Sequence, residues 1–537
     1  MPNNLETQLE SLYSKSLAAI DRFASDPSQD TSIDEVNFRL RNFFGLYELV
    51  RMTVAPNGST KHSPTRLSFW VAHRHRAFIA SILGRAVGMD PRLSPLQRLT
   101  AISQPSYDSP MRLISGRYAE LRSRALAEAV ESKGGGAWLL GSLKDPQARI
   151  EAFDSLTLSG HEPLIELQQA RLREQVSSAQ NAGDDTTNRQ PRCHSALNHK
   201  SEVNKLLYSS YPLDSRAAAH AFDTLRSGLG MHFIPSPRAD ADALALRMLA
   251  QHQRNYSGSD AKDLLSSFES ILQVVLDACA GTVASMEFDG RFARARVTSP
   301  TYGFSGEIYL IQSPHAHTPR TFEVRPPWRS PGVAAICIPS KVGETRELSG
   351  LLFHELGHAI DHISRTGDSP LDCGLDPESD LIEVPPKLFE ALHQESAGPF
   401  HPNPGENSEI EDLISTIDRH RRNALSRLIW RLFETGGDWS AIQGVFAEHG
   451  AREGNGAIPA SASALAGIRE IQSYGPRQYA YALAERYVSL QLRDASNSAH
   501  GSINNWLHRR KRARNMDCSG FDLRQLLESL HGAESFR

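Results

Sequence analysis

Apolar residues recur at every third or fourth position through most of the first third of the chain, for example in 35–52 and 68–87. This is the spacing of helices that bury one face. Residues 177–201 then contain almost no large apolar side chain, which is typical of an exposed linker or a long loop. The pattern therefore predicts a helical N-terminal region over 1–176, a polar linker, and a second folded region over 202–537.

The hydrophobic pattern changes between about residues 286 and 340. Three short runs, GEIYLIQS, TFEVRP and GVAAICIPS, are rich in residues that favour strands and are bounded by Gly, Pro or Ser. Helical spacing returns from about Thr345. The expected fold class is therefore mainly α, with a small β-sheet placed directly before the helix that carries the candidate chemistry.

Charge and composition narrow the class of protein. The chain has 537 residues, which is too long for one compact core. Lys and Arg number 58 against 62 Asp and Glu, so the formal net charge is -4 and no broad basic field favours nucleic acid. No stretch approaches the roughly 18 uncharged apolar residues of a membrane span. We therefore expect neither a nucleic-acid partner nor a membrane partner.

Cysteine usage and the N-terminal segment bear on the compartment. The five cysteines are scattered and never spaced as CxxC, which argues against a disulfide framework. The first twenty residues carry glutamates and lack the features of a secretory signal or a transit peptide. These observations predict a cytoplasmic protein. The sequence carries no prediction of oligomeric state.

The segment LSGLLFHELGHAIDHI carries the candidate chemistry. His354 and His358 are four residues apart, so both imidazoles lie on one helix face and can bind a single ion. Glu355 lies about 100° further round the helix, where it can reach a metal-bound water without ligating the metal. Gly357 costs about 1 kcal/mol against alanine in a helix interior, which predicts close approach of another backbone or a ligand. The alternative is an amphipathic helix with two partly exposed histidines.

A catalytic zinc site needs a third protein ligand. Pro385 and Pro386 fit only the first turn of a helix, which places Glu383 at a helix start. Glu390 follows two turns later on the same face and can accept a hydrogen bond from a ligand histidine. Glu383 is therefore the candidate third ligand. The alternative is a first-turn glutamate that only stabilises the helix dipole.

Residues 354–390 resemble the thimet oligopeptidase and mitochondrial intermediate peptidase family of zinc metallopeptidases. In that family an HExGHA helix is followed by a DF-x-E-x-P-S segment whose glutamate is the third zinc ligand. Asp380, Glu383 and Pro385 match that segment here. The resemblance implies that Glu383 and the two histidines hold one zinc ion per chain.

The stretch IQSYGPRQYAYALAERYVSLQL is similar to a tyrosine-rich stretch of the same family. The resemblance maps two family tyrosines onto Tyr474 and Tyr481, which would donate hydrogen bonds to the oxyanion that develops during hydrolysis. The alternative is that both tyrosines only pack a helix. The chain also departs from the family, because Arg469 or Glu470 stands where a histidine is usual and Gln478 replaces another tyrosine.

The motif and the resemblance together imply a zinc-dependent endopeptidase, an oligopeptidase that hydrolyses short unstructured peptides. The expected fold is a two-lobed, mostly helical, zincin-like shell with a deep substrate channel, whose catalytic region spans 202–537. Glu355 is expected to act as general base toward a zinc-activated water. Two other interpretations stay open: a catalytically impaired peptide-binding protein with a structural zinc, and a protease specific for one folded partner.

Overall fold

The computed structural model describes a mixed core of strands and helices, most of it in the second half of the chain. Residues 177–200 lie outside the described residues, as do most of 1–176, so the division into three regions stays a prediction. The described residues are the segments 261–289, 292–313, 319–327, 330–339, 345–365, 381–396, 478–493 and 498–514, with single residues at 15, between 38 and 52, between 201 and 227, and between 413 and 434.

One helix precedes a five-stranded sheet in the continuous described segments, and further helices follow it. The three strand-like runs of the sequence correspond to β3, β4 and β5, and the helix expected from Thr345 is α2. In chain order the elements are α1 (Ala261–Ala278), β1 (Thr282–Asp289), β2 (Phe292–Ser299), β3 (Phe304–Ser313), β4 (Arg320–Arg325), β5 (Gly332–Pro339), α2 (Thr345–Ser364), α3 (Val384–Glu395), α4 (Gln478–Arg493) and α5 (Ala499–Arg514).

The sheet is mixed, with strand order β1-β2-β3-β5-β4. β1, β2 and β3 form an antiparallel meander, and β3 then pairs in parallel with β5. β4 pairs antiparallel with β5 at the other end of the sheet. In the described part of the chain, β4 is therefore the edge strand on the side of β5. α2 contacts both β4 and β5, so this edge and α2 are neighbours.

Apolar residues cover both faces of the β5 end of the sheet. β5 itself is buried along nearly its whole length, which explains its unbroken apolar run. One face of the sheet packs against α1 at β1, β2 and β3, and against α2 at β3, β4 and β5. On the other face, the helical residues Leu46, Leu49 and Met52 pack against Val324 and Val333. The helix expected over 35–52 is thus present at its described residues.

Hydrophobic anchoring orients α2 on the sheet. α2 contacts β3, β4 and β5, and it carries six buried apolar side chains: Leu352, Phe353, Leu356, Ala359, Ile360 and Ile363. At the C-terminal end of α2, a Cβ added to Gly306 of β3 would lie only 2.8 Å from the Cβ of Ile363. The sheet and α2 therefore approach closely, and the histidines of α2 fall on the side that faces α3.

A close crossing of α2 and α3 occurs at Gly357. A Cβ added there would lie 2.6 Å from Cα and 2.9 Å from N of Pro386, distances that no side chain adopts. The backbone of α3 thus occupies the space that any other residue at position 357 would need. The close approach expected from this helical glycine is present, and its partner is another backbone rather than a ligand.

The described core is mixed α/β, with the predicted small sheet placed before the histidine-bearing helix. The mainly helical composition, the two lobes and the deep channel stay predictions. Among the described helices, none combines the length and the apolar character needed to cross a bilayer.

Gly357→Ala should lower the midpoint of thermal unfolding and weaken metal binding, because the added methyl group separates α2 from α3. Overpacking costs about 1–3 kcal/mol, whereas alanine gains only about 1 kcal/mol over glycine in helix propensity. The cost is therefore larger than the gain over most of its range. Gly350→Ala is the matched control on the same helix, since its Cβ would meet only the His393 ring at 3.6 Å. A control that destabilises as much as Gly357→Ala would contradict the crossing as the cause.

Candidate metal centre

The two histidines of α2 stand one above the other on a single face. Their ring centroids are 5.0 Å apart and the ring planes are nearly perpendicular. The side chain of His354 is 12% exposed and that of His358 is 20% exposed, so both rings are mostly shielded from water. The i, i+4 spacing therefore presents two Nε2 atoms to one point beside the helix.

Glu383 reaches the same point from the start of α3. It occupies the N-cap position, and Pro385 and Pro386 follow within the first turn, as the sequence predicts. Its Oε2 lies 3.6 Å from Nε2 of His354 and 3.7 Å from Nε2 of His358. One ligand atom from each of the three residues lies within 4.8 Å of the others.

The group fits a metal ion by its chemistry and spacing. Two tetrahedral ligand atoms that are each about 2.0–2.1 Å from zinc lie about 3.4 Å apart, close to the separations from Oε2 to the two imidazoles. Glu383 is only 5% exposed, and among the described residues no hydrogen-bond donor reaches its Oε2. A buried carboxylate oxygen without a donor is costly, and a cation at this point would compensate that cost. In the described part of the chain, no other set of three or more His, Cys, Asp or Glu side chains brings its ligand atoms this close together.

Glu390 fixes the orientation of His354 from the far side of the ring. Its Oε1 lies 2.7 Å from Nδ1 of His354, which is the contact expected from the spacing of the two glutamates on α3. An imidazole that donates from Nδ1 presents an unprotonated Nε2 to a metal. Lys387 in turn holds Glu390, with Nζ 2.6 and 2.9 Å from its two carboxylate oxygens.

Burial and nearby charges determine the protonation of the two histidines. Burial lowers the pKa of His358 well below its usual range, and the charge of His354 lowers it further. His358 is therefore neutral at pH 7, the form that binds metal. For His354, burial also lowers the pKa, but the hydrogen bond and charge of Glu390 outweigh it and the net pKa is raised.

The pKa of Glu383 is raised, first by burial and also by the charge of Glu355, while His354, Lys387 and a hydrogen bond from Tyr481 oppose the rise. Metal binding requires this carboxylate to be ionised. A metal ion that binds here therefore displaces protons from a group of coupled side chains, and its apparent affinity falls as the pH is lowered.

Glu355 is buried at 7% exposure and lies beside the metal group without belonging to it. Burial raises the pKa of its carboxyl group, and the charge of His354 and hydrogen bonds from Thr321 on β4 oppose the rise. The hydroxyl of Thr321 also donates to the backbone carbonyl of Glu355 at 2.9 Å. A carboxylate with a raised pKa, held in a fixed position, has the properties that a general base requires.

Of the two predicted tyrosines, the structure describes one. Tyr481 lies on α4, and its side chain hydrogen-bonds to Glu383, which places it directly beside the metal group. Tyr474 lies outside the described residues. The oxyanion role of both tyrosines stays a prediction.

Two contacts of the centre were not anticipated from the sequence. Lys387 is three residues before Glu390, so their i, i+3 spacing is a signal that sequence reasoning can use. Thr321 carries no such signal, because its position beside Glu355 depends on which strand forms the edge of the sheet.

Comparison with protein-family models gives no match for this chain, and comparison with curated proteins gives none either.

Purified wild-type protein should contain one zinc ion per chain, and Glu383→Ala should lose most of it. Loss of a residue that only hydrogen-bonds to a metal ligand weakens metal binding roughly 10–100-fold, and removing one of the three ligands themselves should weaken zinc binding by more than that. Elemental analysis after dialysis against a weak chelator measures this directly. Glu269→Ala is the control, since Glu269 is exposed on α1. Equal zinc in the Glu383 and Glu269 variants would remove Glu383 from the site.

Proposed function

We propose that this protein is a zinc-dependent endopeptidase that hydrolyses short, unstructured peptides. The observation that carries the proposal is the buried oxygen of Glu383, which lies between the Nε2 atoms of His354 and His358 with the Glu355 carboxyl group on the next residue of the helix. Two imidazoles, one carboxylate and a neighbouring carboxylate that does not ligate are the side chains that metal-assisted peptide hydrolysis requires.

The proposed chemistry divides the work among the side chains of the chain. A bound zinc ion would supply Lewis acidity and lower the pKa of a water molecule in the site. Glu355 accepts the proton of that water and later gives it to the leaving amine. Thr321 holds Glu355 in place through its hydrogen bonds, and Glu390 holds the ring of His354. Tyr481, whose side chain hydrogen-bonds to Glu383, would donate a hydrogen bond to the developing oxyanion.

The choice of peptides as substrates rests on the resemblance to the thimet oligopeptidase family. That resemblance covers the metal helix, the downstream glutamate and the tyrosine-bearing stretch of α4. Within such a fold, a narrow channel would admit extended peptides and exclude folded proteins. Residues 202–537 would form the catalytic region, in a cytoplasmic protein that needs neither nucleic acid nor a membrane.

A second candidate is a peptide-binding protein whose metal is structural. Gln478, at the start of α4, stands where the family resemblance places a tyrosine, and this loss of a hydroxyl group favours the second candidate. The buried Glu355 with its raised pKa favours the enzyme, because a structural site does not need a base beside its ligands. A protease for one folded partner would also retain Glu355, and it would leave short peptides intact while cleaving a whole protein.

Glu355→Gln should lower kcat/KM for a quenched fluorescent peptide by about 10²–10⁴-fold, because general-base catalysis is lost. Its zinc content should stay at the wild-type level, since Glu355 is not a ligand. Glu269→Gln, an exposed change of the same kind, should leave both values unchanged. Undiminished cleavage by zinc-loaded Glu355→Gln would rule out the proposed base.

A further inference from the structure

A buried lysine lies behind the metal group and is not used by the proposed chemistry. The side chain of Lys387 is 8% exposed, and its Nζ contacts both carboxylate oxygens of Glu390. Glu390 contacts Nδ1 of His354, whose Nε2 is directed at Glu383. The side chains therefore form one continuous series of polar contacts that begins at an ammonium group and ends at a candidate metal ligand.

Two costs distinguish Lys387 from an ordinary helix-surface lysine. Removing an ammonium group from water is unfavourable unless the charge is paired and hydrogen-bonded. Lys387 also lies close to the N-terminus of α3, where the helix dipole disfavours positive charge. An exposed i, i+3 ion pair contributes only about 0.2–0.5 kcal/mol, so surface pairing alone does not account for this position.

The geometry indicates what the lysine does to Glu390. The Glu390 side chain is 31% exposed, so without Lys387 its carboxylate could rotate toward water and bond there. With Nζ at 2.6 and 2.9 Å from the two oxygens, the carboxylate plane is held while Oε1 stays 2.7 Å from Nδ1 of His354. The direction of the imidazole thus depends on a carboxylate whose own direction depends on the ammonium group.

We propose that Lys387 is a positioning residue of the metal centre: it holds Glu390 in the orientation that directs Nε2 of His354 at the metal. The inference rests on the proposed function, because it takes zinc as the ion that the group binds. Lys387 does not touch the metal or the substrate, and it acts through Glu390 alone.

Lys387→Met removes the ammonium group and keeps a side chain that can fill the buried space. We expect this variant to bind zinc about 10–100-fold more weakly than wild type, measured by competition with a chelating dye at fixed pH. The d–d absorption bands of the cobalt-substituted protein should change as well, because they report the ligand geometry. Arg431→Met is the matched control. It removes the ion pair between Arg431 and Glu434, which has the same i, i+3 spacing and includes none of the centre's residues.

A double-mutant cycle tests whether the effect passes through Glu390. In a Glu390→Gln background, Lys387→Met should change zinc affinity by less than about threefold, because contacting residues couple and the route is already broken. An equal loss of affinity in both backgrounds would overturn the proposal, since Lys387 would then act independently of Glu390. Unchanged or tighter zinc binding by Lys387→Met would overturn it too. Tighter binding would mean that the main effect of the lysine on zinc is charge repulsion, and unchanged binding would mean that it has no effect.

Thermal unfolding of the metal-free proteins shows whether each Lys387 variant still folds. A change in zinc affinity can then be distinguished from a loss of fold stability. If Lys387→Met does not fold, Lys387→Gln serves instead, because it keeps a hydrogen-bond donor without the charge. The proposal expects Lys387→Gln to bind zinc more weakly than wild type, because a neutral amide that is one atom shorter holds the Glu390 carboxylate less firmly, and binding as tight as wild type or tighter would overturn it. Absence of zinc in the wild type would overturn the proposed function, whereas a zinc-loaded, peptide-cleaving Lys387→Met with wild-type affinity would overturn this inference alone.

Discussion

The distance between α2 and α3 at Gly357 controls the geometry of the whole centre. Backbone meets backbone there, and the crossing brings the first turn of α3 against the face of α2 that carries the histidines. Glu383 is the N-cap of that turn, so its carboxylate reaches the two imidazoles without any long flexible connection. Because α2 is anchored on the sheet by its apolar face, the crossing also relates the centre to the edge strand β4.

Buried charge is the second constraint, and it explains why so many side chains near the centre are coupled. Glu355, Glu383 and Lys387 are all buried, and each charge would be costly alone. Lys387 balances Glu390, and Thr321 supplies hydrogen bonds to Glu355. In the metal group, Oε2 of Glu383 is left without a donor among the described residues, and it lies where a cation would bind.

Local sequence was sufficient to identify the members of the group. The four-residue spacing of His354 and His358 defines a shared face on any helix, and paired prolines define where α3 begins. The helical Gly357 signalled a close neighbour because glycine is unfavourable there without one. Three strands were readable from their β-branched runs. β1 and β2 were not, because the buried positions of β2 include Ala293 and Ala295, whose small side chains give a weak strand signal.

The sequence by itself therefore determined which residues can bind a metal, since helix periodicity and proline chemistry act within a few residues. Only the tertiary structure decided that they meet. The interval of 29 residues that separates Glu383 from His354 contains no local rule for the crossing of α2 and α3, which depends on backbone contact at Pro386. The same holds for Thr321, whose contact with Glu355 arises because β4 pairs with β5 at the edge next to α2. Contacts between distant segments depend on how complete faces pack, and that packing is a property of the folded chain.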